Sequence, residues 1–328
     1  MASNKIFVCD TELRCVCILD LERRSFSYLI PRGLAALSKP INTAVDGEGN
    51  LYVADSERLR VVKFDARGRY LTSITGDETF RPVAVALHNN RIHVADNKGR
   101  KVHVFDQSSC KKLFSIPANS DTNMVPPAAG STNSQTAAAA LIDTNIAAVV
   151  SNTVPPQAAA VPAEIQQSST ETNQVASGDA NLYMPINLAT DQEGNIYVTD
   201  AAAFRVQIYD REGHYIKTIG THGAGFGEFA RPKGIAVDRA GRLYVVDAAE
   251  QVIQVFDVKT GTILMYFGDP EGSEAPLSLP AGIAIDYDHT RYFQKYADPT
   301  FEVEYLILVT SQLRPTQVSV YGFGHRKK

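Results

Sequence analysis

The side chains of this chain that could do chemistry fall into four groups, and each has a plain structural role to set against a functional one. Cys15 and Cys17 form an i,i+2 pair that would share one face of a strand, Cys9 lies one strand earlier, and Cys110 is far away. No CxxC or CxxCH occurs, so burial as small apolar side chains is the simpler reading, and no metal or cofactor is assigned to them. Of the seven histidines, His93 and His103 belong to one repeat, whereas His88, His214, His222, His289 and His325 read as unrelated in offset. A converging histidine site for zinc is therefore not expected. The run Gly220-Thr-His-Gly-Ala-Gly-Phe-Gly227 is glycine-rich, but it leads through Pro232 to a strand. A phosphate loop would open a helix, so the run reads as a turn built on positive-φ glycines. Walker, HExxH and G-x-S-x-G motifs are absent, and no catalytic residue is assigned.

Two groups remain as candidates. Asp10, Asp55, Asp96, Asp200 and Asp247 each precede a second aspartate by ten residues, at Asp20, Asp65, Asp106, Asp210 and Asp257. A ring of carboxylates on one face could bind a cation. More simply, each accepts hydrogen bonds from backbone N–H groups two residues on and holds its turn. Arg60, Lys101 and Arg205 stand at matching positions just after it, where a structural partner is the expectation. The last group is an insertion, residues 287–301, carrying Tyr287, Arg291, Tyr292, Phe293, Lys295, Tyr296 and Phe301. Aromatics beside arginine are what interface hot spots are made of, so Tyr287, Arg291, Tyr292, Phe293 and Tyr296 are the candidate partner-binding residues. The competing reading is a plug, with Tyr292, Phe293 and Tyr296 on one face of a helical turn.

These residues are positioned by a repeat. Pro40-Ile-Asn-Thr-Ala-Val-Asp46-Gly-Glu-Gly-Asn-Leu-Tyr-Val-Ala-Asp55 recurs from Pro185 to Asp200 and from Pro232 to Asp247, more weakly from Pro82, and in modified form from Pro280. Each copy continues into a segment such as Arg205-Val-Gln-Ile-Tyr-Asp210 and then one such as Tyr215-Ile-Lys-Thr-Ile219. A unit therefore holds four short strands, a to d, separated by Gly and Asp turns, which is the make-up of a propeller blade. The chain is expected to be all-β, a propeller of six blades. The first unit, from Lys5, begins at strand b and the last ends at strand c, so one d and one a strand are missing from the count. The two gaps would be one gap, filled by an absent N-terminal segment or by strand addition from a partner at the edge that closes the ring.

The motif Pro-x-Gly-Ile-Ala-Val-Asp-x-x-Gly-x-Leu-Tyr-Val-x-Asp, followed by Arg-Val-Gln-x-Tyr/Phe-Asp and Gly-x-Gly-x-Gly-x-Phe, resembles the NHL repeat. The similarity covers nearly everything outside residues 118–180. Phe229-Ala-Arg-Pro-Lys-Gly-Ile-Ala-Val-Asp238, the 287–299 segment and Val320-Tyr-Gly-Phe-Gly324 are similar to bacterial NHL propellers found with multihaem cytochrome systems. The resemblance implies a single propeller over 1–328 and an extracytoplasmic location. Peptide α-amidating lyases resemble these propellers too and hold zinc on histidines from several blades, a pattern the offsets above do not supply.

Residues 118–180 contain no aromatic, Lys or Arg side chain and are dominated by Ala, Ser, Thr, Asn, Gln and Pro. Such a composition offers little to bury, so a flexible low-complexity insertion between the third and fourth blades is expected. With 32 basic and 36 acidic residues the chain has no basic excess for a phosphate backbone, so no nucleic-acid partner is expected. No apolar run is long enough to span a bilayer. The expected function is a non-catalytic binding or scaffold propeller with a protein partner, in an extracytoplasmic, electron-transfer-related bacterial assembly. The alternatives are a metal-dependent propeller hydrolase or lyase, and an RNA-binding NHL module.

Overall fold

The computed structural model describes residues 5–117, 179–268, 277–313 and 318–327. It is a six-bladed β-propeller. Blade one has strands b, c and d at Lys5–Asp10, Cys15–Asp20 and Ser25–Leu29. Blade two is four-stranded, with a at Pro40–Val45, b at Leu51–Asp55, c at Arg60–Phe64 and d at Tyr70–Thr75. Blades three, four and five repeat this from strands a at Pro82–His88, Pro185–Thr190 and Pro232–Val237. Blade six has a at Pro280–Asp286, b at Phe301–Ser311 and c at Val318–Arg326. Among the described residues the first and last blades are thus the two with three strands, as the repeat count anticipates. The 118–178 segment lies outside the described residues. Asp179 and Ala180, which composition places in the insertion, are tied into blade four: Arg205 donates to Asp179 at 3.1 Å and Tyr209 Oη to the Ala180 carbonyl at 2.7 Å.

Strand order in every blade follows chain order, and each a strand lies beside its neighbours' a strands. The b and c strands of blades two to five are buried on both faces, because each is clasped between two blades. Leu51–Asp55 and Arg205–Tyr209 are buried at every position. The d strands form the rim and expose Phe26, Tyr28, Leu71, Leu113 and Ile216. The core is therefore divided into seams. Val83, Val102, Ile116 and Leu188 pack between blades three and four, and Ile208, Ile219, Leu243 and Phe256 between four and five. Ring closure is side chain on side chain: Ile6 of blade one packs with Leu306, Leu308 and Val320 of blade six.

Antiparallel alternation puts all b–c turns and d-to-a connections at one end of the disc, and all a–b and c–d turns at the other. Three a–b turns share a glycine with positive φ, Gly49, Gly194 and Gly241, whose N–H closes on the carbonyl of Asp46, Asp191 or Asp238. Blade three replaces this loop by a tight two-residue hairpin turn, with Asn89 and Asn90 both at positive φ. Among the described residues no helix is long and apolar enough to cross a membrane.

Candidate functional site

The 287–301 insertion extends the a–b end of blade six. Thr290–Phe293 forms a single α-turn and Gln294–Tyr296 a 3-10 turn. The base of the insert is anchored in three ways. Gln294 Nε2 donates to the Phe301 carbonyl at 2.8 Å while its Oε1 accepts the Val303 N–H at 2.9 Å. Buried His289 pairs through Nδ1 with Asp286. Phe293 packs on Val303, Leu306 and Leu308.

The five candidate residues then separate. Tyr287 faces the blade: its ring lies 5.2 Å from Tyr305, the Arg239 guanidinium sits 3.9 Å over it, and its hydroxyl accepts the Arg239 N–H at 2.9 Å. Phe293 is turned inward. Arg291 and Tyr296 are exposed and Tyr292 is half-buried, with the Lys295 ammonium 4.8 Å over Tyr292 and 4.7 Å over Tyr296. One helical turn therefore divides the aromatics between a packed side and a presented side.

Beneath the insert lies a polar network absent from the sequence reading. Asp238 Oδ2 accepts from Tyr244 Oη and Tyr305 Oη, both at 3.1 Å, and pairs with the Arg242 guanidinium. The two hydroxyls are 2.6 Å apart. Arg242 also stands 4.2 Å over the Phe323 ring, which stacks on Tyr305 at 4.8 Å. Burial first, and then the Tyr244 hydroxyl, raise the Tyr305 phenol far above its ordinary value, so both tyrosines stay neutral. The pattern is repeated as Tyr52 on Asp46 and Tyr197 on Asp191. The signal was in the sequence, since an Asp precedes a Tyr by six residues in each of these repeats. The link from Tyr305 across a seam was not.

At the opposite end stand the strand-b aspartates, at most 7% exposed. Asp55 accepts the Ser38 and Lys39 N–H groups, Asp96 that of Arg81, Asp200 those of Tyr183 and Met184, and Asp247 those of Ala230 and Arg231, all at 2.7 to 3.2 Å. These donors lie upstream, in the connection entering strand a; among the described residues only Asp247 also takes the N–H two residues on, from Ala249, while Asp10 and Asp96 take the one three residues on, from Leu13 and Gly99. Asp55, Asp96, Asp200 and Asp247 therefore fasten the segment entering the a strand of their own blade, and Asp96 and Asp247 also cap the turn that follows. Arg60 and Arg205 pair with Asp55 and Asp200 at 3.8 and 3.4 Å, while in blade three it is His103, not Lys101, that reaches its aspartate, at 3.0 Å. Blade six uses Ser311 for this role, accepting the Ser278 N–H at 3.3 Å. At the same end Lys233 donates to Gln312 of blade six at 3.0 Å, and burial followed by Arg231 pushes its pKa down to about 8.

Among the described residues, the one group of three His, Cys, Asp or Glu side chains with donor atoms close enough to share a metal ion is Asp10, Cys15 and Cys17. The histidines do not form such a group. His88 does, however, share the repeat offset of Asp46, six residues after the opening proline, so its position is related to the repeat after all.

A family model described as a 6-bladed beta-propeller matches residues 177–266, which span blades four and five. No curated protein matches the chain. Among solved structures, a catalytically inactive variant of virginiamycin B lyase from Staphylococcus aureus with quinupristin is similar at 10% identity and a TM-score of 0.53, covering 98% of this chain and 82% of that one. A selenomethionine form of the lyase from the same organism is similar at 10% identity and a TM-score of 0.51, covering 99% and 83%. A streptogramin B lyase structure is similar at 10% identity and 0.51, covering 98% and 80%. At this identity the likeness is one of fold.

Proposed function

We propose that this propeller is a non-catalytic recognition module that takes a protein partner on the end of the disc bearing the 287–301 insert. The observation that carries the reading is how the insert is mounted. Its inner side is fixed by Phe293, Gln294 and the His289–Asp286 pair, while Arg291, Tyr292, Lys295 and Tyr296 stand on its outer side. A rigid base with aromatic and cationic side chains above it lowers the ordering cost of binding. Strand c of blade six, Val318–Arg326, is the outermost strand of its sheet and offers a second contact by strand addition. An extracytoplasmic bacterial assembly that handles electron-transfer proteins is the setting implied by the NHL resemblance alone.

The test pairs two variants. Tyr292→Ser with Tyr296→Ser should weaken capture of the partner from the native source and leave Tm unchanged, whereas Phe293→Ser should cost roughly 1.5–3 kcal/mol of stability. Full capture by the double variant would overturn the reading. The likeness to virginiamycin B lyase structures keeps a second reading in play, a metal-dependent lyase or hydrolase. Turnover that tracks a stoichiometric metal ion in purified protein would favour it.

A further inference from the structure

We propose that Asp10, Cys15 and Cys17 form a site for one thiophilic divalent cation of the zinc class, at the seam between blades one and six. Asp10 ends strand b of blade one and Cys15 opens strand c directly opposite it, in register. Cys17, two residues on, shares the strand face of Cys15. One carboxylate oxygen of Asp10 and the two Sγ atoms all lie within 4.8 Å of one another, and all three residues are buried. In a tetrahedral zinc site with Zn–S near 2.3 Å, ligand atoms stand roughly 3.5–4 Å apart, so the trio needs only a small contraction to close on an ion. Val8, Ile6 and Val318 pack around the thiols.

The repeat supplies an independent argument. In blades two and four the residue five positions after the strand-b aspartate is an arginine paired with it, and in blade three the residue seven positions after it is His103. Blade one puts Cys15 and Cys17 at those two offsets. Asp10 is 7% exposed and takes the Leu13 N–H on Oδ1 at 2.8 Å, yet no Arg, Lys or His among the described residues pairs with it. Asp247 also lacks a cation, but backbone N–H groups from both sides of its turn satisfy it. The seat that holds an arginine in two blades and a histidine in a third holds two soft ligands in this one. A metal ion bound to them would stand in for the missing positive charge, with each thiol giving up one proton as its bond to the ion forms and one coordination position left over. Cys9 takes no part, because it faces the blade-two side with Val16 and Leu51.

Reduced, metal-free protein titrated with Cd2+ should show a thiolate-to-metal charge-transfer band saturating at one equivalent. Zn2+ added to the reduced, metal-free protein should release two protons and raise Tm, and excess Zn2+ added after Cd2+ should bleach the band without further proton release. Cys15→Ser with Cys17→Ser should abolish the band, Asp10→Asn should weaken Zn2+ binding about tenfold or more, and Cys9→Ala with Cys110→Ser should leave it intact. The proposal is overturned if wild-type protein with four titratable thiols binds neither ion, or if the Cys15/Cys17 double variant keeps the band. Should that double variant fail to fold, the wild-type titration and Asp10→Asn decide alone.

Discussion

Two seams of the propeller solve the same problem differently. Where strand b of blade five meets blade six, Tyr244 and Tyr305 donate to Asp238, and Arg242 closes the network from above. At the equivalent point of blade three the repeat offers His88 in place of the aspartate and His93 in place of the tyrosine. His93 is 1% exposed, and both His93 Nδ1 and His88 Nε2 are buried without a hydrogen-bond partner. The first seam pairs an acceptor with donors, so every group is satisfied. The second sets two imidazoles whose inner nitrogens find no partner, and burial disfavours the charged form of His93. Gly194 of blade four, at φ +88°, brings its backbone close against the His88 ring, so a larger residue there would press on it.

The largest effect should come from breaking the satisfied seam. Asp238→Ala would leave Arg242 and two phenols without their acceptor and free the Ala240 and Arg242 N–H groups of the turn. Removing one partner of a buried charged network costs about 3–5 kcal/mol. A urea midpoint shift worth less than about 1 kcal/mol would mean that water repairs the network and that the two seams are not different in kind.

The unsatisfied seam should show itself in acid. Burial, then the fields of His88 and Arg91, push the His93 pKa from 6.5 down to about 4. Between those values the unfolded chain binds a proton that the folded chain refuses. The contribution of His93 is therefore complete above pH 6.5 and is lost as pH falls toward 4, by about 2 kcal/mol at pH 5. His88→Asp with His93→Tyr rebuilds the pair used by the other blades and should flatten the fall in stability between pH 6.5 and 4.5 relative to wild type. An identical slope in the two proteins would end the comparison.

How much of this was legible depends on what the repeat encodes. Strand d of blade four, expected at 215–219, is Tyr215–Ile219, and the missing strands of the first and last units are missing in the described sheets. Turn glycines and alternating apolar residues act locally, so the sequence displays them directly. Strand b of blade six runs from Phe301 to Ser311, longer than the b strands of blades two to five, because Gln294 of the insert pins its first residues. The aspartate ring was visible as spacing, but its upstream backbone donors were not, since they depend on how the d-to-a connection folds back. The insert divides Phe293 from Tyr292 and Tyr296, a split that the helical pattern alone left open. His93 in the place of the repeat tyrosine is legible directly; missed were the placement of Asp10 beside the two thiols and that of His88 where the other repeats carry an aspartate. Both need the repeats aligned position by position, with attention to what a residue replaces.

The smallest effect tests whether the satisfied seams form a graded series. Tyr52 donates to Asp46 at 3.3 Å, the longest of the Asp–Tyr bonds, and Asp46 is held besides by the Glu48 and Asn50 N–H groups, by Asn50 Nδ2 and by Gln107 from blade three. Tyr52→Phe keeps the buried ring and removes only the hydroxyl. The bond is long and the carboxylate retains four donors, so the loss should be below about 1 kcal/mol, less than the roughly 1.5–3 kcal/mol of a well-made hydrogen bond to a charged group. In Tyr244→Phe the lost hydroxyl serves Asp238 and Tyr305 together, and a loss of about 1–2 kcal/mol is expected. Equal losses in the two variants would show that the hydroxyl pair across the seam adds nothing, and that the network of blade five is a local turn clamp like the one in blade two.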